Sequence, residues 1–181
     1  MELRSKIALL RGINVGGKRK ILMADLKALC VSLGFEWVQT YIQSGNIIFK
    51  SNLDNEVLAS QLELGIQEIF QLEVPVQIKD SSDLEMALKK NPFYNAPTDI
   101  KQLHVTFLKQ APSLDSYENL QSKYPSKDQF KIYQDQVYLL CKGKYHQSKY
   151  SNQFFEKHLK TPATTRNWKT VLKLIELSKA P

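Results

Sequence analysis

Residues 37–51 read WVQTYIQSGNIIFKS. Two runs rich in β-branched and aromatic residues flank Ser44-Gly45, the pattern of a β-hairpin with a two-residue turn. An antiparallel pair here decides the fold class because of what precedes it. Residues 11–20, RGINVGGKRK, follow the apolar run Ile7–Leu10 and contain Gly12, four residues, Gly17 and Lys18, spelling G-x-x-x-x-G-K. That is most of a phosphate-cradling P-loop, but P-loop sheets are parallel and joined by helical crossovers. Two further requirements fail. Arg19 stands where a Ser or Thr hydroxyl would hold Mg2+. Lys18, Arg19 and Lys20 also fill the first turn after the glycines, where each cation opposes the helix dipole by about 0.3–1 kcal/mol. The chain does not read as a Walker-type NTPase.

Working outward from the hairpin, Ile7–Leu10 is apolar at consecutive positions, as in a strand buried on both faces. Leu22, Leu26, Leu29, Cys30 and Leu33 recur at helical spacing, with Gly34 as the stop. After the hairpin, Asp54 is placed to cap a helix whose stripe is Leu58, Leu62, Ile66, Ile69 and Phe70, and VPVQIKD follows as a strand. The order β-α-β-β-α-β is that of a ferredoxin-like split βαβ unit. Ser81-Ser82-Asp83 opens a short helix, and residues 91–99, NPFYNAPTD, form the expected linker. The second half repeats the order: a strand at Leu103, Val105 and Phe107, a short helix within 114–124, the strands FKIYQ and QVYLLC, and a helix bearing Phe154, Phe155, His158 and Leu159. A last strand is not expected, and a final helix carries Trp168, Val171, Leu172 and Ile175. The expectation is an α+β protein: a βαββαβ subdomain over 1–92 including its linking helix, then a βαββαα subdomain over 93–181.

The net charge of +7 is uneven: residues 1–20 carry +5, residues 21–140 carry −5 and residues 141–181 carry +7. Basic ends that meet would form one anion-attracting surface; ends that do not would each be a solvated face. Cys30 and Cys141 lie far apart in apolar segments, with no C-x-x-C pair or Cys/His cluster, so buried thiols, no metal site and a reducing compartment are expected. The first residues lack a signal-peptide core, and no apolar run approaches the roughly 20 residues of a membrane span. A cytoplasmic protein with no membrane partner follows as the expectation, and nothing implies a cofactor.

The segments LLRGINVGGK, MADLKALCVSLGF, TYIQSGNIIF and ATTRNWKTVLKLIEL resemble the signature stretches of the bacterial domain of unknown function 1697 family. The resemblance implies a ferredoxin-like subdomain followed by a second α+β subdomain, with no established activity. Its signature positions here are Arg11 to Lys18, Gln43 to Asn46 and Thr164 to Trp168.

The candidate site follows from charge and backbone chemistry. Gly12, Gly16 and Gly17 allow positive φ and a concave arrangement of N–H donors suited to anions. Arg11, Lys18 and Arg166 supply charge, while Asn14, Asn46 and Asn167 supply polar orientation. The alternative is a tight glycine connection with solvated lysines, with Asn46 as a turn residue and Thr164, Thr165 and Asn167 as helix caps. The leading reading is a small phosphate- or carboxylate-bearing ligand. A second reading is nucleic acid held by backbone contacts through the basic C-terminal region, since KGKYHQSKY interleaves lysines with Tyr145 and Tyr150. An RRM-type platform is missing: the RNP1-like positions hold Asn46 and Ile48, not aromatics. A third reading is a protein-interaction module. Of the three histidines, His104 and His158 sit at packing positions and His146 has no carboxylate nearby in sequence, so no catalytic residue is assigned and turnover is left open.

Overall fold

A computed structural model of the chain describes residues 3–95 and 97–179. Ala96, within the expected linker, lies outside the described residues. Contacts divide the chain into one unit of Met1–Glu85 with Lys173–Pro181 and a second of Met86–Leu172.

In the first unit, β1 (Arg4–Leu10), α1 (Met23–Ser32), β2 (Glu36–Tyr41), β3 (Asn46–Ser51), α2 (Asn55–Phe70) and β4 (Val76–Asp80) follow the expected order, and α3 (Ser81–Lys90) begins directly after β4. The sheet order is β2-β3-β1-β4, antiparallel throughout. Ile7, Ala8, Leu9 and Leu10 are wholly buried, so their unbroken apolar run marks a central strand with both faces covered. One sheet face, with Ala8, Leu10, Ile47, Phe49, Val76 and Ile78, packs on the apolar stripes of α1 and α2. The Phe35 and Phe49 rings stack there at 4.4 Å.

The hairpin is looser than its sequence suggests. The last ladder pair is Tyr41 with Asn46, leaving a four-residue connection, 42–45, with positive φ at Ile42 and Gly45. A two-residue type I′ turn at Ser44-Gly45 needs positive φ at both positions, and Ser44 does not adopt it. Gly45 is required for another reason. A Cβ at this position would lie 2.7 Å from Leu10 Cβ and 2.8 Å from Ile13 Cδ1, so the connection lies flat on the end of β1.

The second unit contains β5 (Leu103–Leu108), α4 (Leu114–Tyr117), α5 (Leu120–Lys123), β6 (Gln129–Tyr133), β7 (Gln136–Leu140), α6 (Asn152–Leu159) and β8 (Ala163–Asn167). Helix α7 (Trp168–Ser178) follows β8 at once. The order β6-β7-β5-β8 repeats that of the first sheet, element for element. The α+β class is as expected, but one element differs: Ala163–Asn167, expected as a capping segment, is the fourth strand. Thr and Asn suit caps and pleated strands alike, and pairing with β5 decides between them. Thr106 and Thr165 face each other across that pair, their hydroxyls 2.6 Å apart. Asn167 still caps, its Oδ1 accepting from Thr170 N–H at 2.8 Å. The core of this unit joins Leu108, Val137, Leu139 and Ala163 of the sheet to Leu120, Cys141, Tyr150, Phe155 and Leu159.

Candidate functional site

The glycine loop of the first unit is a miniature hairpin. Val15 and Lys18 form an isolated bridge, with Lys18 N–H donating to the Val15 carbonyl at 3.1 Å. Between them Gly16 and Gly17 take φ of 58° and 75°, the requirement of a type I′ turn that only glycine meets without strain. The glycines therefore build a tight turn rather than a phosphate cradle of the P-loop kind.

Asn14 anchors this turn. Its Nδ2 donates to the carbonyls of Ile21 and Gln43, both at 2.9 Å, and its Oδ1 accepts from Ile21 N–H at 3.0 Å. Asn14 itself sits at φ 54°, a left-handed conformation that Asn tolerates. One side chain thus joins three segments: the glycine turn, the approach to α1 and the β2–β3 connection.

Those three segments border an open, shallow cavity of about 330 Å3, lined by Asn14, Gly17, Lys20, Ile21, Leu22 and Gln43. The cavity lies at the start of α1, whose N-cap residue, Leu22, offers no side-chain cap. The helix thus begins without a capping side chain at Leu22, and the positive end of its dipole favours an anion. Lys20 adds charge at the wall, while Asp25 in the first turn opposes it. Leu22 and Val15 are strongly exposed, at 70% and 62%.

The other expected site residues of this unit frame the cavity at one remove. Arg11 is half-buried, its N–H donating to the Pro75 carbonyl at 2.9 Å. Gly12 has φ 71° and lies beside the guanidinium of Arg19, which donates to the Arg11 carbonyl at 3.3 Å. Lys18 is exposed at the turn. Asn46 is wholly buried; its Nδ2 donates to the Tyr41 carbonyl and to Ser44 Oγ at 3.1 and 3.0 Å, shaping the connection that carries Gln43. Sequence reasoning placed Lys20 among the cations around the glycine loop but passed over Ile21, Leu22 and Gln43 as lining residues, although Gln43 lay inside a signature segment.

Arg166 and Asn167 belong to the second unit. Arg166 on β8 is buried, and its Nη1 donates to Thr164 Oγ1 at 2.9 Å and to the Thr165 carbonyl at 3.0 Å. Burial lowers its pKa to about 10, so it stays charged at neutral pH. On the opposite face of β8 the neighbouring Thr165 anchors a separate hydroxyl network, its Oγ1 donating to Asn152 Oδ1 at 2.6 Å and accepting from Tyr145 Oη at 3.0 Å. His104, stacked on Tyr145 at 4.8 Å, is held below the ordinary histidine pKa by burial. The thiols of Cys30 and Cys141 are buried and pushed up to about 12 and about 11 by desolvation, which leaves both unreactive at neutral pH. Among the described residues no cluster of three or more His, Cys, Asp or Glu is placed to hold a metal ion, and no helix is long and apolar enough to cross a membrane.

Residues 3–138 match the model of a family described as a protein of unknown function, DUF1697. Among solved structures, the chain is similar to a conserved bacterial protein from Streptococcus pneumoniae, at 25% identity and a TM-score of 0.73, over 98% of this chain and 100% of that one. No curated protein matches it.

Proposed function

The chain belongs to the DUF1697 family, which carries no assigned activity, and from its own geometry we propose that the first unit binds a small phosphate- or carboxylate-bearing ligand at the start of α1. The observation that carries this reading is the 330 Å3 cavity against a helix N-terminus without a side-chain cap, with Lys20 in its wall. Its volume is at the lower end of the range for small-molecule sites, which suits a metabolite-sized anion. The helix N–H groups and Lys20 hold the anionic group, the Gln43 amide orients it, and Ile21 and Leu22 meet its apolar part. Asn14 and Asn46 shape the walls. Arg166 and Asn167 stay outside this reading: the former is consumed by its neighbours inside the second unit, and the latter caps α7. The basic first segment, at +5 over residues 1–20, raises the local concentration of anions. The βαββαβ order and sheet order of this unit support reading it as ferredoxin-like, and the buried thiols support a reducing, cytoplasmic setting.

A thermal-melt panel with inorganic phosphate, sugar phosphates, nucleotides and short carboxylic acids tests it. A ligand at 100 times its Kd adds about 2.7 kcal/mol, which for a chain of this size raises Tm by roughly 5–10 °C. Lys20→Gln is expected to abolish the shift while leaving the unliganded midpoint in place. A panel without any shift, or a shift that survives Lys20→Gln unchanged, removes the proposal.

A further inference from the structure

The second unit carries a different surface. Between residues 120 and 160 the sequence has eight lysines against three acids, Asp128, Asp135 and Glu156. Two of those acids are turned onto backbone donors. Asp128 is only 3% exposed, and its Oδ1 accepts from Lys142 N–H at 2.8 Å. Glu156 Oε1 accepts from Ala163 N–H at 3.0 Å. Asp135 lies in the β6–β7 turn. Helix α4 packs on α6 and brings exposed Asp115 and, just after it, Glu118 to the border of this face, while the end of α5 and α6 themselves present chiefly cations.

That face also holds a cluster of half-exposed rings. Tyr124, Phe154 and His158 pack on one another, with centroids at 5.6 Å for Tyr124 and Phe154, 4.4 Å for Tyr124 and His158, and 4.6 Å for Phe154 and His158. Lys123 lies over the Tyr124 ring at 5.7 Å. Lys123, Lys157 and Lys160 are all exposed. Burial, and then their charges, hold His158 below the ordinary histidine pKa of 6.5. Exposed lysines and half-exposed rings on one face leave like charges and apolar surface side by side. An anionic partner with flat aromatic groups relieves both the repulsion and the exposure.

We propose that the α5–α6 face of the second unit, formed by Tyr124, Phe154, His158, Lys123, Lys157 and Lys160, binds single-stranded nucleic acid. Stacked bases take the rings, and backbone phosphates take the lysines. Acidic peptides satisfy the lysines but offer no planar groups for the rings. A duplex keeps its bases paired and stacked on one another. The mode differs from an RRM, because the rings come from helices and a loop rather than from central strands. It also differs from the loop site of the first unit, so either one fails without the other.

The test uses the full chain with a labelled oligothymidylate of about 12 nucleotides, within the span of known single-strand sites. Anisotropy titrations over a range of salt are expected to give a log–log slope of about −2, from three phosphate contacts at about −0.7 each. The triple variant Lys123→Gln, Lys157→Gln, Lys160→Gln, altered only at exposed positions, is expected to lose the slope and to weaken binding at least about tenfold. A 2-aminopurine placed in the strand is expected to be quenched on binding, and Phe154→Leu to remove the quench. The proposal is overturned by absence of binding at low salt, by a salt slope that the triple variant leaves unchanged, by lack of any quench, or by equal affinity for a duplex or for polyglutamate.

Discussion

The Asn14 side-chain amide donates to the Gln43 carbonyl at 2.9 Å across 29 residues of chain, and so fixes the β2–β3 connection to the glycine turn. The same amide holds Ile21, so removing it releases two walls of the cavity together. Asn14→Gly keeps the left-handed backbone and removes all three hydrogen bonds. At about 1 kcal/mol each, a loss of about 2–3 kcal/mol is expected from urea melts. The anion-induced Tm rise should vanish in the same variant. A variant that melts earlier yet still responds fully to ligand would separate Asn14 from the cavity.

Two glycines of the first unit should respond very differently to alanine. At Gly16 a Cβ meets nothing within 4 Å, so Gly16→Ala carries only the left-handed penalty of about 1–2 kcal/mol. At Gly45 the same penalty is joined by overlap with Leu10 and Ile13, whose side chains belong to a filled core. Gly45→Ala is expected to cost more than about 3 kcal/mol. Denaturant midpoints of the two variants, measured side by side, check the ordering.

Arg166 looked like a ligand-reaching cation in the sequence and is buried in the fold. Arg166→Ala leaves Thr164 Oγ1 without its donor and opens a cavity, so a loss of about 2–4 kcal/mol is expected, read as a Tm lower by roughly 5–15 °C. The anion response of the first unit should be untouched. If Arg166→Ala instead leaves Tm in place and removes the ligand response, the guanidinium acts on ligand after all.

Both depressed histidines make the fold acid-sensitive. His104 is held below 6.5 chiefly by burial, and His158 by burial and three lysines. The unfolded chain therefore takes up protons before the folded one does. Their contribution to stability is complete above about pH 6.5 and declines as pH falls through and below that value. Thermal midpoints followed from pH 7.5 to 5 in the wild type and in His104→Asn should show a shallower decline in the variant; parallel curves would dissociate His104 from the effect.

Much of the fold can be read from local pattern. Consecutive apolar residues at Ile7–Leu10, period-3.6 stripes in α1 and α2, and the paired β-rich runs around Ser44-Gly45 each report their own element, because side-chain periodicity is set by backbone geometry within a few residues. The failure of the P-loop reading was equally local, resting on Arg19 and on the hairpin. The strand β8 was not legible. Thr164, Thr165 and Asn167 suit a cap or a pleat, and only β5, some 60 residues earlier, settles the matter through ladder pairing and the Thr106–Thr165 contact.

The sequence by itself determined the class of the chain, the antiparallel hairpin, the buried thiols and the concentration of charge at its two ends. Tertiary structure alone decided which polar residues face outward. It turned Asn14 and Asn46 into braces, buried Arg166, and gathered Lys20, Leu22 and Gln43 around one cavity. The physical reason is range: backbone preference and hydrophobic period act between near neighbours, whereas burial of a guanidinium or the walls of a pocket depend on segments brought together from distant parts of the chain.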